Sequence, residues 1–280
     1  MGVPMYGSAS HVTRFATVLL ISSFLAGCDI AIDGHGGFDL DIAAGKAADE
    51  WIRSYKVPAG GRLEIINVNG RITAEASNGA EVEVRAERSV KASTDEGAKD
   101  LLGKIEMREE LGESRVRVEV RSPRLSGPSK HEIKWTIKVP RGVAVDLRTV
   151  NGGVHMLGLE GDLRARSTNG GISGKMLLAT SIDAAVTNGG IDIELAKAVT
   201  SGMFELEAVN GGVSISLPTE SKADIIGRCV NGGISASLPI ETVGEQSRRR
   251  LEGKLNGGGA RIALETVNGG VKISGALGTT

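Results

Sequence analysis

The chain has 280 residues, a length that allows one or two ordinary domains. Glycine supplies 40 of them, about twice its usual share, but only 7 prolines and no G-X-Y period occur, which excludes collagen. Lys and Arg number 33 against 34 Asp and Glu, which argues against a polybasic nucleic-acid surface. Four His and two Cys leave little material for a metal centre, and nothing implies a cofactor.

Residues 15–26, FATVLLISSFLA, form an apolar stretch too short to span a bilayer, with Arg14 before it and no acid. This is the layout of a signal peptide. It ends in Leu25-Ala26-Gly27-Cys28, which resembles the bacterial lipobox in full. The resemblance implies cleavage before Cys28, lipid (palmitate among the acyl chains) on its thiol and an acylated amino terminus. Several acyl chains anchor a protein firmly where one does not. The expected location is therefore the bacterial cell envelope, as a membrane-anchored lipoprotein; the alternative is an ordinary signal peptide with an incidental cysteine. Asp29 resembles a signal for retention at the periplasmic side of the inner membrane. Without the leader the chain carries a net charge of −2, because Arg14 is the leader's only charged residue. With Cys28 lipidated, Cys229 has no partner for an intrachain disulfide, so packing and backbone hydrogen bonds must supply the stability.

Residues 28–49 are small, acidic and glycine-containing and read as a tether, with His35 a linker residue rather than a metal ligand. Residues 50–143 read as a sandwich-like β region with one short helix. Pro58-Ala59-Gly60-Gly61, Asn69-Gly70 and Asn78-Gly79 mark turns, the Asn-Gly pairs suiting tight strand reversals. The one helical candidate is 95–111, where Ala98, Leu101, Leu102 and Ile105 give a partial apolar face that Gly103 weakens. Val116, Val118 and Val120 alternate with outward charges. Ile133, Trp135, Ile137 and Val139 form the next strand, closed by Pro140, and His131 precedes it as an exposed loop or strand-end residue.

Residues 144–280 are a repeat. Asn-Gly-Gly recurs at Asn151, Asn169, Asn188, Asn210, Asn231 and Asn268, with gaps of 18, 19, 22, 21 and 37 residues. The last gap is close to two periods. A further copy at Asn256 is out of phase and aligns with the opposite corner, near Gly161-Asp162. A turn returning about every 20 residues is a solenoid signature. Residues two and four before each Asn, such as Ala165 and Ser167 or Leu206 and Ala208, are small or apolar, and those between are mostly charged. Each repeat thus reads as strand, NGG corner, strand, second corner. Two architectures fit: parallel coils stacked as a β-helix with the asparagines in one line, or antiparallel hairpins with NGG turns. Similar residues at each level favour the β-helix, and small inward residues account for the scarcity of aromatics. Residues 240–255 break the rhythm. Arg248, Arg249 and Arg250 there read as a solvated loop, or more sharply as a contact for phospholipid head groups or an acidic glycan.

The V-P-x-G-x-x-L segment at Val57 to Leu63, the Asn-Gly repeats, W-T-I-K-V-P-R-G-V at Trp135 to Val143 and T-V-N-G-G-V at Thr149 to Val154 resemble the bacterial DUF4097 family over roughly residues 50–275. Members are labelled as adhesins, and the resemblance implies a β-helical fold; it supplies no catalytic residues. An enzyme on this scaffold, a lyase or hydrolase, would need acids and bases converging on one face. The outward row three residues before each Asn instead reads Arg148, Arg166, Ala185, Glu207, Arg228 and Glu265, and the row five before reads Asp146, Arg164, Asp183 and Glu205. Such mixing is what cross-strand charge compensation produces. His155 has no nucleophile or paired acid, and Cys229, inward-facing, reads as an inert thiol. The expectation is an all-β, non-catalytic envelope lipoprotein presenting a rigid surface for adhesion or for a protein or glycan partner. The alternatives are the carbohydrate-active enzyme and a scaffold that assembles through open coil ends.

Overall fold

The computed structural model describes residues 45–123, 129–243 and 246–276; the signal peptide, Cys28, Asp29, His35 and most of the tether lie outside them. The first strand, β1 (Gly45–Tyr55), already takes in the end of the expected tether. Its residues alternate between covered and exposed because it pairs antiparallel along its whole length with β4 (Val82–Ala92). Between them lie β2 (Arg62–Ile66) and β3 (Ile72–Ser77). These two do not pair with each other, so Asn69-Gly70 is not the expected hairpin reversal. The chain turns a corner there and passes from one sheet to another.

The helix α1 (Asp95–Gly103) starts where Thr94 Oγ1 accepts from Gly97 N and ends at the glycine that interrupts its apolar face. The sequence suggests helix to residue 111, but β5 (Glu106–Leu111) pairs antiparallel with β6 (Arg115–Arg121). Tertiary pairing overrides the helix-favouring Glu-Met-Arg-Glu-Glu run. The strand β7 (Lys130–Pro140) then joins β4 antiparallel and β3 parallel.

The repeat builds β8 (Ala144–Asn151), β9 (Val154–Leu157), β10 (Glu160–Asn169), β11 (Ile172–Asn188), β12 (Ile191–Leu195), β13 (Met203–Asn210) and β14 (Val213–Pro218). It continues through β15 (Ala223–Asn231), β16 (Ile234–Ala236), β17 (Ile240–Thr242), β18 (Arg250–Leu255), β19 (Ala260–Asn268) and β20 (Val271–Ala276). Strands before the NGG corners pair in parallel with one another, and strands after them do the same, as a β-helix requires.

Two sheets result. Sheet A runs β1, β4, β7, β3, β9, the first part of β11, β12, β14, β20, β16. Sheet B runs β5, β6, β2, β8, β10, the rest of β11, β13, β19, β15, β18, β17. Because β11 passes from one into the other, the two form a single curled, half-barrel surface. The N-terminal strands continue these sheets and do not close a sandwich of their own. The long gap before Asn268 is not a missed copy: β19 and β20 return and fill the slot between β13/β14 and β15/β16. Antiparallel strands flank both sheets at one end, β1 with β4 and β5 with β6; at the other the β17–β18 pair flanks sheet B, while sheet A ends on β16.

The core lies between the sheets and is made of Val, Ile, Leu and Ala, with Trp135 and Phe204 the largest fully buried side chains. The Trp51 ring meets Trp135 edge-on at 6.1 Å under the N-terminal end. Elsewhere the core includes small residues such as Ala165, Ala184 and Ala208.

Candidate binding surface

The NGG corners place their asparagines in one exposed line. Asn151 Nδ2 donates to Asn69 Oδ1 at 2.7 Å, and the pattern repeats from Asn169 to Asn151, Asn188 to Asn169, Asn210 to Asn188, Asn268 to Asn210 and Asn231 to Asn268 at 2.8–2.9 Å. All the amides point the same way, so each bond polarises the next. At the near end Asn69 Nδ2 meets His131 Nε2 at 3.1 Å. His131 thus lies at the start of β7 as expected, but half-buried rather than exposed, and it terminates the ladder. Its Nδ1 is buried without a partner, and burial lowers its pKa.

The glycines follow from the backbone. Gly189 has φ 149° and its N–H donates to Asn210 O; a Cβ there would lie 2.6 Å from Gly170 O. A side chain is excluded by its neighbour as well as by conformation. Hydroxyls two residues before the corner also have a task that composition does not show. Thr149, Ser167 and Thr266 donate to glycine carbonyls of adjacent coils. Cys229 fills the same inward position as a free, buried thiol.

The outer face of sheet B carries the charge. Arg148 grips Asp146 with two bonds of 2.6 and 2.9 Å, and Arg166 and Arg164 hold Asp183. Asp146, expected to face outward, is only 1% exposed, and its neighbour in register, Glu64, is 7% exposed and bound by Arg115 at 2.6 Å. Long arginines laid over the short carboxylates account for this burial. Nearer the corner lies a row of half-exposed β-branched residues, Val150, Thr168, Thr187, Val209, Val267 and Val230 in spatial order. A groove of about 730 Å³ runs here, lined by Glu207, Val209, Arg228, Val230, Glu265 and Val267 among others. The β17–β18 hairpin bounds it with Arg249 and Arg250. Arg250 pairs with Glu252 at 3.2 Å.

Sheet A presents a polar row instead: His155, Ser173, Asp192, Ser214 and Lys272 lie in register. His155 Nδ1 is 2.9 Å from Ser173 Oγ, and burial, then Arg71, lowers its pKa. Lys175 and Ser214 bind Asp192, whose pKa falls despite burial. No His, Cys, Asp or Glu cluster among the described residues could hold a metal ion. No helix among them is long and apolar enough to cross a membrane.

The structure brings Asn151, Asn169, Asn188, Asn210, Asn231 and Asn268 together and leaves Asn256 apart. That residue, at φ 49°, donates to the carbonyls of Thr219 and Ser221 at the opposite corner. The ladder member missed in the sequence is Asn69. Val68-Asn69-Gly70 repeats Val150-Asn151-Gly152, and that shared triplet is the signal that marks it.

Residues 141–274 match the family described as Toastrack DUF4097. None of the curated proteins matches the chain. Among solved structures, a candidate cell adhesion protein from Clostridium sporogenes ATCC 15579 has a TM-score of 0.50 at 12% identity, over 82% of this chain and all of the other. A candidate adhesin from Bacteroides fragilis NCTC 9343 gives 0.43 at 12% identity, over 81% of this chain and 97% of its own. At 12% identity the likeness to the Clostridium protein is one of fold alone, an all-β architecture.

Proposed function

We propose that the protein is an envelope lipoprotein, anchored through Cys28, whose β-helix binds an envelope protein or glycan without turnover. The observation that carries this reading is the outer face of sheet B. There Arg148 holds Asp146 within β8, while Arg164 and Arg166 hold Asp183 and Arg228 meets Glu265 across strands, the mutual compensation expected of a structural or binding face. The adhesion label of the fold relatives points the same way. We read residues 144–280 as a solenoid of roughly 20-residue coils, with 1–27 a leader and 28–44 the tether. The antiparallel strands that flank the N-terminal end of both sheets and the far end of sheet B disfavour growth by coil-end stacking. Among the described aromatics only Trp51 is not buried, and Arg53 lies 4.9 Å over its ring, so the faces offer sugars little stacking surface. A protein partner fits this surface better than a glycan.

The test incubates the full chain carrying Cys28→Ala with envelope proteins, peptidoglycan, capsule and lipopolysaccharide, following retention and new reducing ends. Replacing Arg166, Glu207 and Arg228 together by Ala should weaken retention while the fold persists, since exposed pairs contribute little each. Arg148 is left in place because it satisfies a buried carboxylate. Product formation abolished by a single acid substitution would overturn the non-catalytic reading. In the native chain, Cys28→Ala should also abolish palmitate labelling; equal labelling would refute the anchor.

A further inference from the structure

We propose that the outer face of β13, β19, β15 and β18 is a docking surface for a second copy of this chain. The residues three before the corner read, across these four neighbouring strands, Glu207, Glu265, Arg228, Arg250. Two acids precede two bases. A twofold axis along the strands, between β19 and β15, reverses that order in the partner. Each acid then faces a base: Glu207 against Arg250 and Glu265 against Arg228, twice over.

The other rows agree at the centre of the face. The central strands set Arg261 beside Asp224, Ala263 beside Ile226 and Val267 beside Val230. Under the same axis each pairing forms again across the interface, charge on charge and apolar on apolar. At the flanks the same axis sets Glu205 against Glu252 of the other copy, a like-charge contact at the rim that water and salt screen. Val209, Val267 and Val230 are 43, 41 and 55% exposed, so they offer the apolar area that the charges orient.

The opposite half of sheet B is chemically different. There Arg148, Arg164 and Arg166 are committed to Asp146 and Asp183. Here Glu207 and Arg261 have no ion pair among the described residues, and the pairs Arg228–Glu265, Arg250–Glu252 and Lys254–Asp224, at 3.1, 3.2 and 3.8 Å, are single contacts between side chains about half exposed. Ordered, solvent-exposed charge of this kind selects a partner with the complementary order. The face spans about 19 Å across strands and about 20 Å along them, from spacings of roughly 4.8 Å and 3.3 Å. That footprint, about 380 Å² on each copy, falls short of a standard specific interface, so the dimer is a weak one. Such a footprint suits a reversible dimer between copies confined to one membrane.

Sedimentation equilibrium of the full chain with Cys28→Ala, from low micromolar to several hundred micromolar, tests the proposal. The parent should show a monomer–dimer equilibrium that salt weakens. Glu207→Arg with Glu265→Arg makes the row all basic, and Arg228→Glu with Arg250→Glu makes it all acidic. Each variant alone should lose about tenfold or more in self-association. Their equimolar mixture should restore it, which also shows that both remain folded. Val230→Asp, which leaves the charged row intact, should weaken the dimer as well. A parent that stays monomeric throughout, or a dimer unchanged in both charge variants, would overturn the proposal.

Discussion

The middle of the stack and its two ends obey different rules. From β8 to β14 the order along the chain is the order in space, and each corner lies on the one 18, 19 or 22 residues earlier. At the ends the chain leaves that order. β6 and β7 pack outside β2 and β3 although they come later, and β19 and β20 enter inside β15 and β16. A period of about 20 residues therefore specifies a coil but not its slot. The slots at the ends are set by what covers the exposed edges, since an open parallel edge leaves backbone groups unpaired and available to other chains.

Substitutions can separate the two regimes. The largest effect is expected at Phe204, fully buried where the ordered middle meets the inserted coil. Phe204→Ala should cost about 4 kcal/mol in urea unfolding, in the range for large aromatic truncations. Gly189→Val, at a corner of the ordered middle, should cost about 3 kcal/mol because the new side chain would strike the Gly170 carbonyl. Gly257 sharpens the contrast. It has φ 86° in the linker to the inserted coil, with open space around it, so Gly257→Ala should cost only about 1 kcal/mol. Equal losses at the two glycines would show that conformation, not close stacking, dictates the corner.

The ladder offers a finer comparison. The Asn188 side chain donates to Asn169 and accepts from Asn210, whereas among the described residues the Asn231 side chain bonds Asn268 alone. Asn188→Ala should lower stability by about 1 kcal/mol and Asn231→Ala by about half that, read as shifts in the urea midpoint. Smaller still is the pH effect. Burial depresses the pKa of both His131 and His155, so the folded state binds fewer protons than the unfolded chain. Their contribution is fully present above the unfolded value of about 6.5 and is lost as pH falls through the lower folded values. His131→Gln, which keeps an acceptor for Asn69, should flatten that part of the stability–pH curve. Asp162 and Asp192, with lowered pKa values, add a separate loss in more acid solution.

Much of the middle is legible in the sequence because one structural demand recurs there with one solution. Asparagine, two glycines and alternating flanks announce the corner, the ladder and the buried face together. The ends are less legible because their demands are not repeated. Residues 106–111 favour helix by composition yet pair as an edge strand, and residues 45–49 look like linker until β4 gives them a partner. The burial of Glu64 and Asp146 under arginines leaves no trace in a pattern that marks every charged residue as outward. Asn69 shows the same limit: its triplet matches the repeat, but with one glycine and no neighbour at the right spacing it reads as a hairpin turn.

The insertion of the last coil is the claim that most separates this arrangement from a simple solenoid, and a cysteine-pair measurement tests it. In a background of Cys28→Ala and Cys229→Ala, Glu207→Cys with Glu265→Cys places thiols on neighbouring strands β13 and β19. Glu207→Cys with Arg228→Cys places them two strands apart, at about 9.6 Å from roughly 4.8 Å per step, beyond the roughly 7 Å a disulfide can bridge. Mild oxidation of dilute protein, followed by mass spectrometry, should find an intrachain disulfide in the first variant and none in the second. A disulfide in the second and none in the first would mean that the coils follow chain order, and the insertion would be wrong.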